Sequence, residues 1–289
     1  MSLTRLITEI WRRAKEGSFA GTFFGGITLG MLLYRILMQS QKLKIQDVKA
    51  IQSGSGTRKP TVRRQSVHPI PDVQPDTVHH LIEARRSILP KDYTGAAVKD
   101  DIVSKLLDAA RWAPTHGRTE PWRFVVHAGE GRKRLLDATL AFYSTRPAEF
   151  WTSAEAWKGE FPTFADFEAY FRKQCTDKWL RCSHLVSICM KRQQPEPGKR
   201  LFPDHEEVAA VACAVQNMHL MATALRVGAY WSSWFEHFTG SDAGIGYHEL
   251  HASEGDRWLG VFCIGECQKM ETFRSARRPQ EQFSTWLRS

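Results

Sequence analysis

At 289 residues the chain has room for one or two domains, and its 42% hydrophobic, 11% aromatic and 25% charged residues are those of a folded protein, not a disordered tail. Negative mean hydropathy excludes a polytopic membrane protein, and six cysteines in this length do not make a disulfide scaffold. The net charge of +9 is uneven: residues 1–80 hold 12 Lys/Arg against 5 Asp/Glu, whereas residues 81–289 hold 28 against 26, so the larger part lacks the basic footprint of a nucleic-acid binder.

Residues 1–16 read as an amphipathic helix. Leu3, Leu6, Ile7, Ile10 and Trp11 share one face, and Arg5, Arg12, Arg13 and Lys15 lie off it. The pattern suits a membrane surface or an organellar transit peptide, with Glu9 and Glu16 counting against the latter. No charge interrupts residues 17–34, and the apolar run continues through Arg35 to Met38. About 20 helical residues cross the hydrocarbon layer, so residues 17–38 are expected to form one transmembrane helix. Gly17, Gly21 and Gly25, and Gly26 and Gly30, recur at a spacing that lets two helix backbones pack closely in lipid. Basic residues flank both ends and leave the orientation open. Residues 39–76 read as a basic, flexible linker containing Ser53-Gly54-Ser55-Gly56, with Arg58, Lys59, Arg63 and Arg64 as a solvated tether near anionic lipid.

The domain expected over residues 77–289 alternates helix and strand signals. Residues 78–85 read as a helix. Asp100 or Asp101 is placed to cap another, which carries Ile102, Leu106 and Ala110. Residues 123–127 form a buried strand between Pro121 and Gly129, and 130–143 a helix. The stretch 144–180 is aromatic-rich and irregular. Residues 185–190, 229–231 and 258–263 read as further short strands. Asp204 and Glu207 give a capping-box-like start to the longest helix, 206–226, whose apolar positions run nearly all round. Such elements imply an α+β domain, a mixed sheet with helices on its faces.

Several chemistries find no pattern. Cys182, His184, Cys189, Cys263 and Cys267 lack paired zinc-ligand spacing and read as buried free thiols and no metal site. A hydrolase elbow and a Walker A loop are absent, and Gly244-Ile245-Gly246 lacks the third glycine and preceding strand of a dinucleotide fingerprint. Two segments stand out. Arg85-Arg86-Ser87 offers two guanidinium forks and a hydroxyl, donors suited to a phosphate or a polyol. Residues 113–124 form a polar loop entering a strand, with His116 near its middle.

Together, and in order with the long helix, the segment Gly228-Ala229-Tyr230-Trp231-Ser232-Ser233 and Ile264-Gly265, these elements resemble the FMN-dependent nitroreductase family, in its short bacterial-type branch, over about residues 77–280. The resemblance implies an α+β nitroreductase-like fold with a mixed sheet wrapped by helices, and a homodimer with two FMN sites at the subunit interface. It also implies that NAD(P)H reduces the flavin, which then reduces a nitro or quinone-like acceptor. Carried over by position, Arg85, Arg86 and Ser87 hold the FMN phosphate and ribityl chain, and His116 lies near the flavin of the second subunit. Trp231, Ser232 and Ser233 face the isoalloxazine edge. Lys269, or one of Arg274, Arg277 and Arg278, adds positive charge near the phosphate. No residue is assigned a catalytic role.

The chain also departs from the family pattern. Glu120 stands where the family has Gln, Trp112 where the short branch has Arg, and Ser232 where an Arg follows the Trp. Losing two cationic groups costs a reduced, anionic flavin about 1–3 kcal/mol where each made a charge-assisted hydrogen bond. Trp234 is placed to crowd the substrate face. Two readings stay open. One is a membrane-anchored FMN-dependent NAD(P)H oxidoreductase. The other is a catalytically degenerate, nitroreductase-like accessory subunit of a membrane complex. Both expect a single-pass protein of the mitochondrial inner membrane.

Overall fold

Four strands carry the architecture of the computed structural model: β1 (Trp122–Ala128), β2 (His184–Met190), β3 (Gly228–Ser232) and β4 (Arg257–Gly265), ordered β1-β2-β4-β3. The structure describes residues 69–151, 161–194, 196 and 198–288. The expected amphipathic helix 1–16, transmembrane helix 17–38 and most of the linker 39–76 lie outside the described residues. Among the described residues, no helix is long and apolar enough to cross a membrane.

The sheet corrects one expectation. It is antiparallel at every pairing, not mixed. β4 enters between β2 and β3 and runs against both, so neither parallel pair, β2 with β3 or β1 with β4, is adjacent. All seven residues of β2 are buried, as a central strand covered on both faces requires.

One face carries α5 (Asp204–Ala224) and α2 (Asp100–Ala110), with Val103, Leu106, Val211, Val215 and Met218 packed on Val186, Ile188 and Phe262. The opposite face carries α3 (Glu130–Ser144) and α4 (Phe164–Asp177), with the short α6 (Glu236–Thr239) and α7 (Asp242–Tyr247). There Phe142, Tyr143, Phe167, Phe171, Phe235 and Phe238 form an aromatic cluster with neighbouring ring centroids 5.1–6.3 Å apart. Helix α4 lies inside the stretch that reads as irregular. A capping box starts it, in which Thr163 accepts from the Asp166 N–H and the Asp166 carboxylate accepts from the Thr163 N–H. Residues 152–160 of that stretch lie outside the description.

Three helix starts differ from expectation. Helix α1 begins at Pro75, inside the segment read as linker, with Pro at its first turn. Lys99 and Pro203 occupy the N-cap positions of α2 and α5, with no side-chain cap. Asp100, Asp204 and Glu207 sit instead in the first turns, where negative charge complements the helix dipole. Each also has a distant partner: Asp100 meets His184 Nε2 at 3.0 Å, Asp204 meets Arg257, and Glu207 meets Arg192 at 3.1 Å. Helix α5, although apolar nearly all round, is buried on one face only, from Glu207 through Val211, Ala214 and Met218 to Ala222. All six cysteines are unpaired; five are buried and Cys213 on α5 is exposed.

Candidate functional site

Helix α1 (Pro75–Ala84) stops where Arg85 turns extended, with φ −60° and ψ 130°. The segment that follows is tied to β3 through the Ile88 N–H, which donates to the Ala229 carbonyl at 2.9 Å. Arg86 Nε donates to the Phe273 carbonyl at 3.3 Å, and this draws the C-terminal segment alongside. This brings the Arg277 charge within reach of Arg85. Burial first, then the charges of Arg277 and Arg86, pull the Arg85 pKa below its ordinary value. Among the described residues none of these three guanidiniums has a carboxylate partner. Arg86 and Arg277 bond only to main-chain carbonyls and the Ser275 hydroxyl. Ser87 is exposed beside them.

Behind the cluster, α5 presents His219. Its ring meets Phe262 edge-on at 4.7 Å, and its buried Nδ1 has no hydrogen-bond partner. Burial, then the Arg85 charge, lowers its pKa to about 4, so the imidazole is neutral. Half-buried Arg85 and Arg86 and exposed Arg277, near a neutral, under-bonded imidazole, form a donor set suited to an anion.

Lys269 follows β4. It leads the turn Met270–Thr272 and lines a cavity of about 300 Å3 with Arg226, Cys267 and Glu271. Of the four C-terminal cations offered by the sequence, Arg277 is the one whose charge reaches Arg85.

Trp231 and Ser232 end β3 beside a bulge in β4, where the register between β2 and β4 shifts. Gly260 occupies the bulge at φ +111°, and a Cβ there would stand 2.2 Å from the Ser232 carbonyl oxygen. The Trp231 indole donates to the Leu259 carbonyl and the Trp258 indole to that of Gly260, both at 2.9 Å, which satisfies groups released by the bulge. The Ser232 hydroxyl accepts from the Trp234 N–H at 3.0 Å, and Ser233 is exposed. Trp234 does not crowd an open face. At φ +62° it turns into the aromatic core, packs tilted against Trp179 at 4.8 Å and donates to the Thr139 hydroxyl at 3.2 Å.

His116 lies on an exposed 3-10 turn whose loop is held by the Thr115 and Thr119 hydroxyls. Its ring stacks on Phe202 at 4.1 Å, and Nδ1 meets the Glu206 carboxylate. Glu206 and His219 are thirteen residues apart on α5, about 20 Å along its axis. His116 at one end of α5 and Arg85 at the other therefore belong to different regions of one chain.

Residues 82–266 match the model of the nitroreductase family. The chain belongs to the nitroreductase family. Among curated relatives of this nitroreductase-family chain is YfhC of Bacillus subtilis (strain 168), in name an NAD(P)H nitroreductase. It is 23% identical over 160 residues, which are 55% of this chain and 71% of the relative. The nitrobenzene nitroreductase of Ectopseudomonas oleovorans is 33% identical over 70 residues, 24% of this chain and 30% of that one. A nitroreductase-like family protein from Bacillus cereus superposes with a TM-score of 0.54 at 25% identity, covering 78% of this chain and 100% of its own. The FMN-dependent nitroreductase NfnB of Mycobacterium smegmatis, crystallised with NADPH, shares the fold at 14% identity and a TM-score of 0.52, covering 74% and 99%.

Against this family, the departures at Glu120 and Trp112 fall on exposed positions. Glu120 has φ +44°, and Trp112 packs under the Arg111 guanidinium at 5.1 Å. His219 escaped sequence reading because one histidine on an apolar helix face carries no signal until its neighbours are known.

Proposed function

We propose that this chain is an FMN-dependent oxidoreductase of nitroreductase type that takes electrons from NAD(P)H and works as a dimer. The observation that carries the reading is the cluster of half-buried Arg85 and Arg86 with exposed Arg277, without a carboxylate partner among the described residues. Its donor set fits the phosphate of FMN: three forks of N–H donors, the exposed Ser87 hydroxyl and net positive charge. When bound, FMN supplies the redox chemistry, accepting electrons from the nicotinamide and passing them to a nitro or quinone-like acceptor. The chain binds and orients it. The guanidiniums anchor the phosphate, and the bulge at Gly260 fixes Trp231 and Ser233 at the end of β3. His116 reaches the flavin of a second copy, in keeping with the length of α5 between it and its own chain's Arg85.

A second reading keeps the flavin and loses the turnover. It is favoured by Ser232, which stands where the family has an Arg and whose hydroxyl is engaged by the Trp234 N–H. In that reading the domain serves a membrane complex, and in either the amino-terminal segment anchors the chain as a single pass in the mitochondrial inner membrane. The full chain, purified in mild detergent, distinguishes them. A flavin spectrum with one FMN per chain, bleached by NAD(P)H and restored by a quinone or nitro compound, supports the enzyme. Bound flavin that neither nucleotide bleaches supports the accessory subunit, and absence of flavin binding overturns both. Carbonate-resistant recovery with mitochondrial inner membranes tests the location.

A further inference from the structure

A second recess lies at the free edge of β1. Its cavity of about 510 Å3 is lined by Arg123, Val125, His127, Arg134, Tyr247 and His248 among others. Side chains alternate along β1, with Trp122 and Phe124 facing the core beneath α5, so Arg123, Val125 and His127 face the opposite side of the sheet. The recess shares no residue with the arginine cluster, the His116 loop or the end of β3.

Its polar groups are oddly provisioned. Arg134 of α3 has no carboxylate partner among the described residues. A Cβ on Gly131 would stand 3.6 Å from its Nη2 and 3.8 Å from the His127 Cβ, which places the guanidinium beside the histidine. Arg123 has only Glu249, at 3.6 Å. His127 Nε2 lies 3.0 Å from the Ser187 hydroxyl. The His248 ring stacks edge-on against Trp258 at 4.4 Å and lies 5.9 Å from His127, and its buried Nε2 has no partner. Burial first, helped by neighbouring positive charge, lowers His127 to about 4 and His248 to about 3, so both rings are neutral. The lining thus carries two guanidiniums against one carboxylate.

Arg134 is exposed, with the charge of Glu130 acting on it from outside the lining, and the lining itself keeps more positive than negative charge, which favours an anion over a cation. The space matches that of small-molecule sites generally, and Val125, Ala128 and the Tyr247 ring give it apolar walls. We propose that this recess binds a small organic monoanion, a carboxylate on a compact apolar or aromatic body, with Arg134 as counter-charge and Arg123 lining the same space. A charge-assisted bond of this kind, in a partly enclosed site, is the main source of selectivity for such a guest.

Benzoate, titrated calorimetrically into the full chain, is the probe, with benzamide, acetate and inorganic phosphate as comparisons. Saturable benzoate binding is expected, with benzamide, acetate and phosphate each at least about tenfold weaker. In Arg134→Gln, benzoate affinity is expected to fall about tenfold or more. Arg134 is exposed, so an unchanged circular-dichroism spectrum and melting temperature will certify that variant as folded. Three results would overturn the proposal: no saturable benzoate heat, equal affinity of the folded Arg134→Gln variant, or a comparison compound binding as tightly as benzoate.

Discussion

Arg277 is the residue on which the flavin reading turns. Alone on an exposed C-terminal segment it is one of four cations in ten residues; folded back, it is the one that presses on Arg85. A phosphate seated there converts mutual repulsion into attraction. Removing one guanidinium loses a charge-assisted bond of about 1.5–3 kcal/mol, roughly ten- to a hundredfold in affinity. Arg277→Ala is expected to weaken FMN binding by that factor, measured by quenching of flavin fluorescence, and to leave riboflavin binding unchanged because riboflavin has no phosphate. Lys269→Ala is the comparison, with an expected change below twofold. Equal loss for both flavins would place Arg277 away from the phosphate.

Among the elements, the β3–β4 corner is the most constrained. Gly260 combines a φ that side chains avoid with an approach of 2.2 Å to the Ser232 carbonyl. Gly260→Ala is therefore expected to cost about 3 kcal/mol or more in urea denaturation, from backbone strain plus displacement of β3. Gly246→Ala, in the short helix α7 with open space where the Cβ would go, is expected to be neutral or stabilising by up to about 1 kcal/mol. Similar costs at both sites would remove the close-approach argument.

The strands show what a sequence makes legible. Each expected strand lies within an observed one, because short apolar runs ended by Gly or Pro carry their own signal: Pro121 and Gly129 bracket β1, and Gly228 opens β3. Their order and direction were not legible, since nothing local tells β4 to insert between β2 and β3. Helix α4 was missed although Thr163 and Asp166 spell a capping box and Phe164, Phe167 and Phe171 recur at helical spacing. The density of aromatics hid the period. At the site, Arg85-Arg86-Ser87 was readable as an anion motif, whereas His219 and the choice of Arg277 depend on contacts across more than a hundred residues.

On the scale of the whole molecule, three of the four buried histidines among the described residues set the response to acid. His127 and His219 are lowered to about 4 and His248 to about 3, each chiefly by burial. Folded, they resist protons that the unfolded chain accepts near pH 6.5. A base whose folded pKa is depressed contributes stability above the unfolded pKa and loses it as pH falls toward the folded one. The chain is therefore expected to lose stability between pH 6.5 and 4, on the order of 2 kcal/mol for each histidine. Urea midpoints from pH 7.5 to 5 measure this; a flat profile would mean that the imidazoles are already charged or solvated in the fold.

Helix α5 has a genetic consequence. It separates Glu206, which meets His116, from His219, whose pKa feels the Arg85 charge, by about 20 Å along its axis, and in the dimer proposed above each site would draw its phosphate anchor from one polypeptide and its histidine from the other. A mixed dimer of one chain lacking Arg277 and one lacking His116 assembles one intact site and one doubly broken site. Two defective alleles in the same cell then complement each other, whereas two copies of either allele do not.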